Sequence, residues 1–196
     1  PATHPPRWIW LLTSVENQKT ADERIPQLLR CPAAVCGVSY EPALEAVDFS
    51  RWLRCRGCGA TGARRGAGGR CCPDRTEVLD WLIAGGESGR GARPCDVAWL
   101  RAAVAQCKET QTPVFVKQLG THITRWVPDN TTDPWERYGG VPRVSAVEVC
   151  RQPRTARGQL GERQTVHLRN RKGGDMAEWP QDLRGVREFP QAVTRG

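Results

Sequence analysis

Three glutamates and a lysine, Glu16, Glu41, Glu87 and Lys117, each stand at the polar end of a short apolar run. The runs are Trp8 to Val15, Ala33 to Ser39, Leu79 to Ala84 and Val114 to Val116. Carboxylates and an ammonium gathered around one crevice could bind ribose hydroxyls, an amino group or a carboxylate. For any single glutamate the plainer reading is a negative charge favoured at the start of the next helix. The spacing favours the set. Successive intervals are 25, 46 and 30 residues, and removing an insertion of roughly 20 residues from the middle one leaves repeats near the size of a βα unit.

The loop Gly85-Gly86-Glu87-Ser88-Gly89-Arg90-Gly91 directly follows the third run. Its glycines allow positive φ and close backbone approach. It lacks the Lys-Ser/Thr ending of a phosphate-binding loop and is not a dinucleotide fingerprint. Ser88 does not sit in the G-x-S-x-G frame of a nucleophile elbow, so serine hydrolysis is not expected. His4, His122 and His167 lie far apart with no acid or cysteine at ligand spacing, and read as structural.

Cys55-Arg56-Gly57-Cys58 begins a zinc knuckle, two thiolates two residues apart, and Cys71 and Cys72 would supply the remaining ligands. Adjacent cysteines diverge in most backbone conformations, so a loop carrying reduced thiols stands as the alternative. Nine cysteines cannot all pair and nothing marks the chain for export, which favours thiols or metal over disulfides. Cys95, Cys107 and Cys150 read as ordinary thiols, with Cys107 near the apolar face of its helix.

Positioning these groups requires strands and helices in alternation. The four runs are short, nearly continuous and rich in Val, Ile or Trp, as strands buried on both faces are. Thr20-Ala21-Asp22-Glu23 reads as a capping box opening a helix whose Ala21, Ile25, Leu28 and Leu29 share a face. Pro26 should kink or shorten it. Asp96 reads as the cap of a second helix with Val97, Leu100 and Val104 on one face. The alternation predicts an α/β fold with about four parallel βα units, part of a TIM-type barrel or a small open sheet. The division expected is a partial barrel over 1–120, with a Cys- and Arg-rich insertion at 51–75, and an irregular extension over 121–196 packing on it. In that extension Trp126, Trp135 and Tyr138 are expected to cover one end of the barrel. Residues 151–165 read as a loop, Val166 to Arg169 as a final strand, and 173–190 as a tail packed through Trp179 and Phe189.

The 196 residues carry a net charge of +8. Two segments hold most of it. Residues 51–75 have seven Arg against Asp74, and residues 151–172 have six Arg and Lys172 against Glu162; each block is +6, and the rest of the chain is therefore −4. Guanidinium suits phosphate, making these segments candidate nucleic-acid contacts; solvated loops are the plainer reading. No apolar run approaches the ~20 residues of a membrane span. Trp8-Ile9-Trp10-Leu11-Leu12 is too short for a signal peptide. A cytoplasmic protein without membrane contact is expected, and the initial Pro marks a trimmed chain or part of a longer one.

Several blocks carry a family resemblance. They are Ser14-Val15-Glu16-Asn17-Gln18 with Ala21-Asp22-Glu23-Arg24-Ile25-Pro26, and Ser39-Tyr40-Glu41-Pro42 with Val47-Asp48. Further on come Leu79 to Gly89 with Gly91-Ala92-Arg93-Pro94, then Val116-Lys117-Gln118-Leu119-Gly120. Gly173 to Pro180 and Arg187-Glu188-Phe189-Pro190 complete the series. Together they resemble the phage-associated "gp thirty-seven/gp sixty-eight" domain of unknown function, itself similar to radical S-adenosylmethionine (radical SAM) enzymes. The resemblance implies a partial barrel whose strand ends cradle the methionine and ribose of S-adenosylmethionine. It carries over Ser14, Glu16, Ser39, Glu41, Gly85, Gly86, Glu87, Ser88 and Lys117 as pocket candidates. It also implies a [4Fe–4S] cluster held by three cysteines, yet no stretch here has the C-x₃-C-x₂-C-like spacing; Cys31 and Cys36 stand alone.

The expectation is the C-terminal part of a radical-SAM-like phage or prophage protein, catalytically silent by itself and a partner for a missing N-terminal half-barrel. The rivals are a zinc-containing nucleic-acid-binding module and a truncated, non-functional fragment.

Overall fold

The computed structural model describes residues 8–53, 78–128 and 161–190; side chains of 126–128 and 161–164 are outside the description. The elements are β1 (Trp10–Ser14), α1 (Gln18–Leu28), β2 (Val35–Tyr40), α2 (Ser50–Leu53), β3 (Trp81–Gly85), β4 (Cys95–Asp96), α3 (Val97–Glu109), β5 (Val114–Gln118), β6 (Ile123–Pro128) and β7 (Gly161–Val166). Two 3-10 turns follow, Met176–Glu178 and Gln181–Leu183.

The four apolar runs form the strands of one sheet, in the order β1-β2-β3-β5 and parallel throughout. Sequential order with right-handed crossovers puts the described connecting helices on the same side. That side is the core. Ala21, Ile25 and Leu28 of α1 and Leu100, Ala103, Val104 and Cys107 of α3 are buried against Val38, Tyr40, Leu82, Ala84, Val114 and Val116. Among the described residues the sheet is open rather than closed into a barrel, with β1 and β5 at its ends.

The opposite face carries Leu12, Gly37 and Trp81 in register, and Ile83 beside Phe115. It is only partly covered: Trp10 and Leu12 remain 36% and 41% exposed. Edge-to-face contacts at 5.7 Å for Trp10–Trp81 and 5.2 Å for Phe115–Phe189 join its rings.

Helix α1 starts earlier than a Thr20–Glu23 box predicts. Its cap is Asn17, whose side chain accepts from the Thr20 amide at 2.9 Å while the Thr20 hydroxyl accepts from the Asn17 amide at 3.2 Å. The same reciprocal device is shifted one turn back, because an Asn just beyond β1 captures the free amides first. The helix ends at Leu28, two residues past Pro26. Asp96 caps α3 as expected, accepting from the Ala98 amide at 2.9 Å.

A second sheet has the order β4-β6-β7, with β6 and β7 antiparallel. Here the reading of 151–169 needs correction, since the strand is Gly161–Val166 and ends where one was expected to begin. Its partner β6 was not anticipated: the pair is separated by more than 30 residues, so no turn signal marks the hairpin. Residues 151–160, Trp135, Tyr138 and Cys150 lie outside the described residues.

The C-terminal segment packs as a tail. Trp179 is fully buried, while Phe189, 56% exposed, lies against Trp81 and Phe115. Residues 186–188 run along the outer edge of β5, through Val116 N–H to Val186 O at 2.8 Å and Glu188 N–H to Val114 O at 2.9 Å. An edge so covered is protected from further strand pairing. No described helix is long and apolar enough to cross a membrane.

Candidate functional site

Parallel strands that start at one end of a sheet finish at the other. Glu16, Glu41, Glu87 and Lys117 therefore gather at the carboxyl ends of four neighbouring strands, where α/β folds bind ligands. The residues after β2 tie this rim together. Ala43 N–H donates to Gly85 O and Leu44 N–H to Glu16 O, both at 2.9 Å, so one turn spans the ends of β1 and β3.

Glu41 is the most enclosed of the three carboxylates, its side chain 15% exposed. Lys117 Nζ donates to its Oε2 at 3.0 Å and Gln118 Nε2 to its Oε1 at 3.0 Å. Neighbouring residues of a regular strand face opposite ways and could not share a partner. The strand is not regular: Ala84 pairs with Val116 but Gly85 with Gln118, leaving Lys117 as the extra residue of a bulge. A bulge re-aims side chains in this manner. Gln118 also donates to Gly86 O at 3.1 Å, and Gly86 N–H returns a bond to Gln118 O at 3.0 Å.

Glu87 is held by Arg93 in a fork: Nε to Oε2 at 2.8 Å, Nη2 to Oε1 at 2.9 Å, with the Arg93 amide also on Oε2 at 2.8 Å. These bonds favour the ionised form and pull the carboxyl down to about 2. The same guanidinium is raised mainly by Glu87, with a smaller attraction from Glu16, so those two carboxylates face a common cation. Glu16 itself accepts from Arg24 Nη1, 3.1 Å to each oxygen, and Arg24 also donates to Ser14 O at 2.8 Å. Ser14 and Ser39 are register partners on β1 and β2. Ser88 is exposed beyond the rim.

The glycines divide by cause. A Cβ on Gly86 would stand 2.1 Å from Leu119 O, so packing requires that glycine, whereas one on Gly85 would fit tightly, 3.1 Å from Gln118 O and 3.4 Å from Glu41. Gly89 and Gly91, at φ +108 and +79, have open space where a side chain would be. The rim thus presents three carboxylates, each neutralised by a cation from this chain, beside an accessible glycine turn. Hydroxyl and amine groups could exchange bonds with such pairs.

Arg24, Arg93 and Gln118 complete the set that the four end residues began. All three stand within the segments that carry the family resemblance, without a role there, and nothing in their spacing marks them as partners of the glutamates. The zinc candidates Cys55, Cys58, Cys71 and Cys72 lie outside the described residues. Their segment leaves after α2 and returns before β3, at the end of the sheet opposite the rim. Leu79 N–H bonds Trp52 O at 2.8 Å across its root. Among the described residues no group of three or more His, Cys, Asp or Glu is arranged to hold a metal ion. Cys36, Cys95 and Cys107 are buried, Cys31 exposed. Burial pushes the Cys95 and Cys107 thiols up to about 12, as expected of structural rather than reactive cysteines.

Comparison with curated proteins and with solved structures returned no match. Residues 2–174 match the model of a family described as "Protein of unknown function (DUF5131)", and the chain belongs to that family.

Proposed function

We propose that the carboxyl rim of the parallel sheet is a binding site for a small polar molecule of the S-adenosylmethionine kind. In this reading the sheet is one wall of a radical-SAM-like partial barrel from a phage or prophage protein. The observation that carries it is the meeting of Lys117 and Gln118 on Glu41 across a bulge, with Glu16 and Glu87 on either side. Local irregularity that turns two consecutive polar side chains onto one carboxylate serves a site better than it serves a sheet. Ser14 and Ser39 lie one row below and offer hydroxyls.

The described cysteines do not fit an iron–sulfur cluster. They belong to separate elements, and among the described residues no group of three or more His, Cys, Asp or Glu is arranged to hold a metal ion. No step is derived through a cluster, and the isolated chain is expected to bind without turning over. Calorimetric titration with S-adenosylmethionine tests the reading. Saturable binding to the folded chain, lost in Glu41→Gln and Lys117→Met, supports it; binding unchanged by both substitutions overturns it.

A second reading concerns the other end of the sheet. Trp52 and Leu79, joined by a backbone hydrogen bond, bracket the Cys- and Arg-rich residues. The C-x₂-C pair with Cys71 and Cys72 would hold zinc, and the Arg-rich segments 51–75 and 151–172 would contact nucleic acid. Zinc well below one per chain and unaffected by Cys55→Ser ends the metal part. Nucleic-acid affinity that does not fall with added salt ends the phosphate part.

A further inference from the structure

The bulge that aims Lys117 and Gln118 is framed from outside the sheet by the C-terminal segment. Before it, Val116 N–H donates to Val186 O at 2.8 Å; after it, Leu119 N–H donates to Gly173 O at 2.9 Å. That carbonyl takes a second donor, the indole Nε1 of Trp179 at 2.8 Å, from a ring with no exposed surface. Gly173 has φ +64, and a Cβ there would stand 2.5 Å from Gly120 O, so the two glycine backbones lie in direct contact. Gly120 in turn leaves no room for a Cβ beside Glu87 O. Thr121 extends the stack: its amide donates to Glu87 O at 2.8 Å, and its hydroxyl donates to Arg171 O at 2.7 Å and accepts from Gly89 N–H at 3.0 Å. Three loops from distant parts of the chain are thus layered under the rim, and the outermost belongs to the tail.

We propose that residues 170–188 form a strap that holds the β5 bulge, with Trp179 and Gly173 as its positioning residues. Docked, the strap keeps Lys117 and Gln118 on Glu41; released, it lets Gln118 and the glycine loop separate. Trp179 bonds Gly173, and Gly173 meets Leu119 and Gly120, so their effect on the rim passes through Leu119 and Gly120. The strap acts as a regulator only if the rim is the binding site proposed above, but the mechanical coupling is a property of the ligand-free chain and is measured there.

Hydrogen exchange resolved by residue, on the full chain without ligand, provides the test. Trp179→Phe keeps an aromatic ring but removes the donor to Gly173 O together with the volume of the pyrrole ring, while Gly173→Ala displaces the loop itself. The informative amide is Gly86 N–H, which donates to Gln118 O and not to an atom of the strap. The expected result is exchange about tenfold faster at Gly86 and Leu119, with Val38 in the centre of β2 changing less than about twofold. Wild-type protection at Gly86 in both variants overturns the proposal. Uniform acceleration of Gly86 and Val38 together in both also overturns it, since the segment would then be an ordinary part of the core. Should Gly173→Ala fail to fold, Trp179→Phe alone decides between these outcomes.

Discussion

Glu41 Oε2 lies 3.0 Å from Nζ of Lys117, a residue from the end of a strand two places along the sheet. The ammonium is half exposed and the carboxylate nearly enclosed, so the pair joins a solvated group to a shielded one. Removing either end has unequal effects. Lys117→Met leaves Glu41 with the Gln118 bond, and a pair with one exposed partner contributes about 0–1 kcal/mol. Glu41→Ala removes the partner of Lys117 and one of the two acceptors of the Gln118 amide, which keeps Gly86 O, for a loss of about 1–3 kcal/mol. Urea unfolding of both variants checks the order; equal losses would mean that the carboxamide bond contributes nothing.

The Glu87–Arg93 fork predicts an acid-resistant carboxylate. The folded value of about 2 lies below the ordinary 4.5, so the stabilisation it provides is complete above 4.5 and is lost as pH falls toward 2. Carbon-detected titration should find Glu87 still ionised at a pH where ordinary glutamates are protonated. Arg93→Gln should move its midpoint back toward 4.5, and an unshifted midpoint would show that the fork does not persist in solution.

Two glycines of one loop should respond differently to the same methyl group. Gly86→Ala drives a Cβ into the Leu119 carbonyl and is expected to cost about 3 kcal/mol or more, since backbone must move. Gly89→Ala meets open space and bears only the positive-φ penalty, about 1–2 kcal/mol. Thermal unfolding of the two variants separates packing from conformation.

The start of α1 offers a coupled pair. Asn17→Ala and Thr20→Val should each cost about 1 kcal/mol, because each removes one half of the reciprocal cap. The double variant should cost clearly less than the sum. Strict additivity in denaturant titrations would show two independent bonds.

Thiol chemistry follows burial. Among the four described cysteines, brief alkylation of the native chain should modify Cys31 and spare Cys36, Cys95 and Cys107. Peptide mapping reads the pattern. Rapid labelling of Cys95 would reveal opening around β4 on the timescale of the reaction.

Much of this architecture is visible in the residues themselves, and the boundary of what is visible has a physical cause. Strands buried on both faces leave continuous apolar runs, and a sequence of such runs with helices between them specifies parallel pairing and the shared end of Glu16, Glu41, Glu87 and Lys117. Asp96 before Val97 is equally direct, since a cap needs only its own neighbours. The partnerships are different. Gln118 reaches Glu41 only because Lys117 is squeezed out of the ladder, and no periodicity announces a bulge. Glycines 85 and 86 suggest a ligand loop when read alone, yet the bareness of Gly86 answers to Leu119, far downstream. The β6–β7 pairing and the strap rest on contacts across long stretches of chain, to which local pattern is blind.

The bond between Trp52 and Leu79 closes a gateway through which the polypeptide departs and re-enters at almost the same place. That bond anchors both flanks to the sheet at the end away from the ionic rim, so the two sides of the gateway are held by backbone that takes no part in the candidate site.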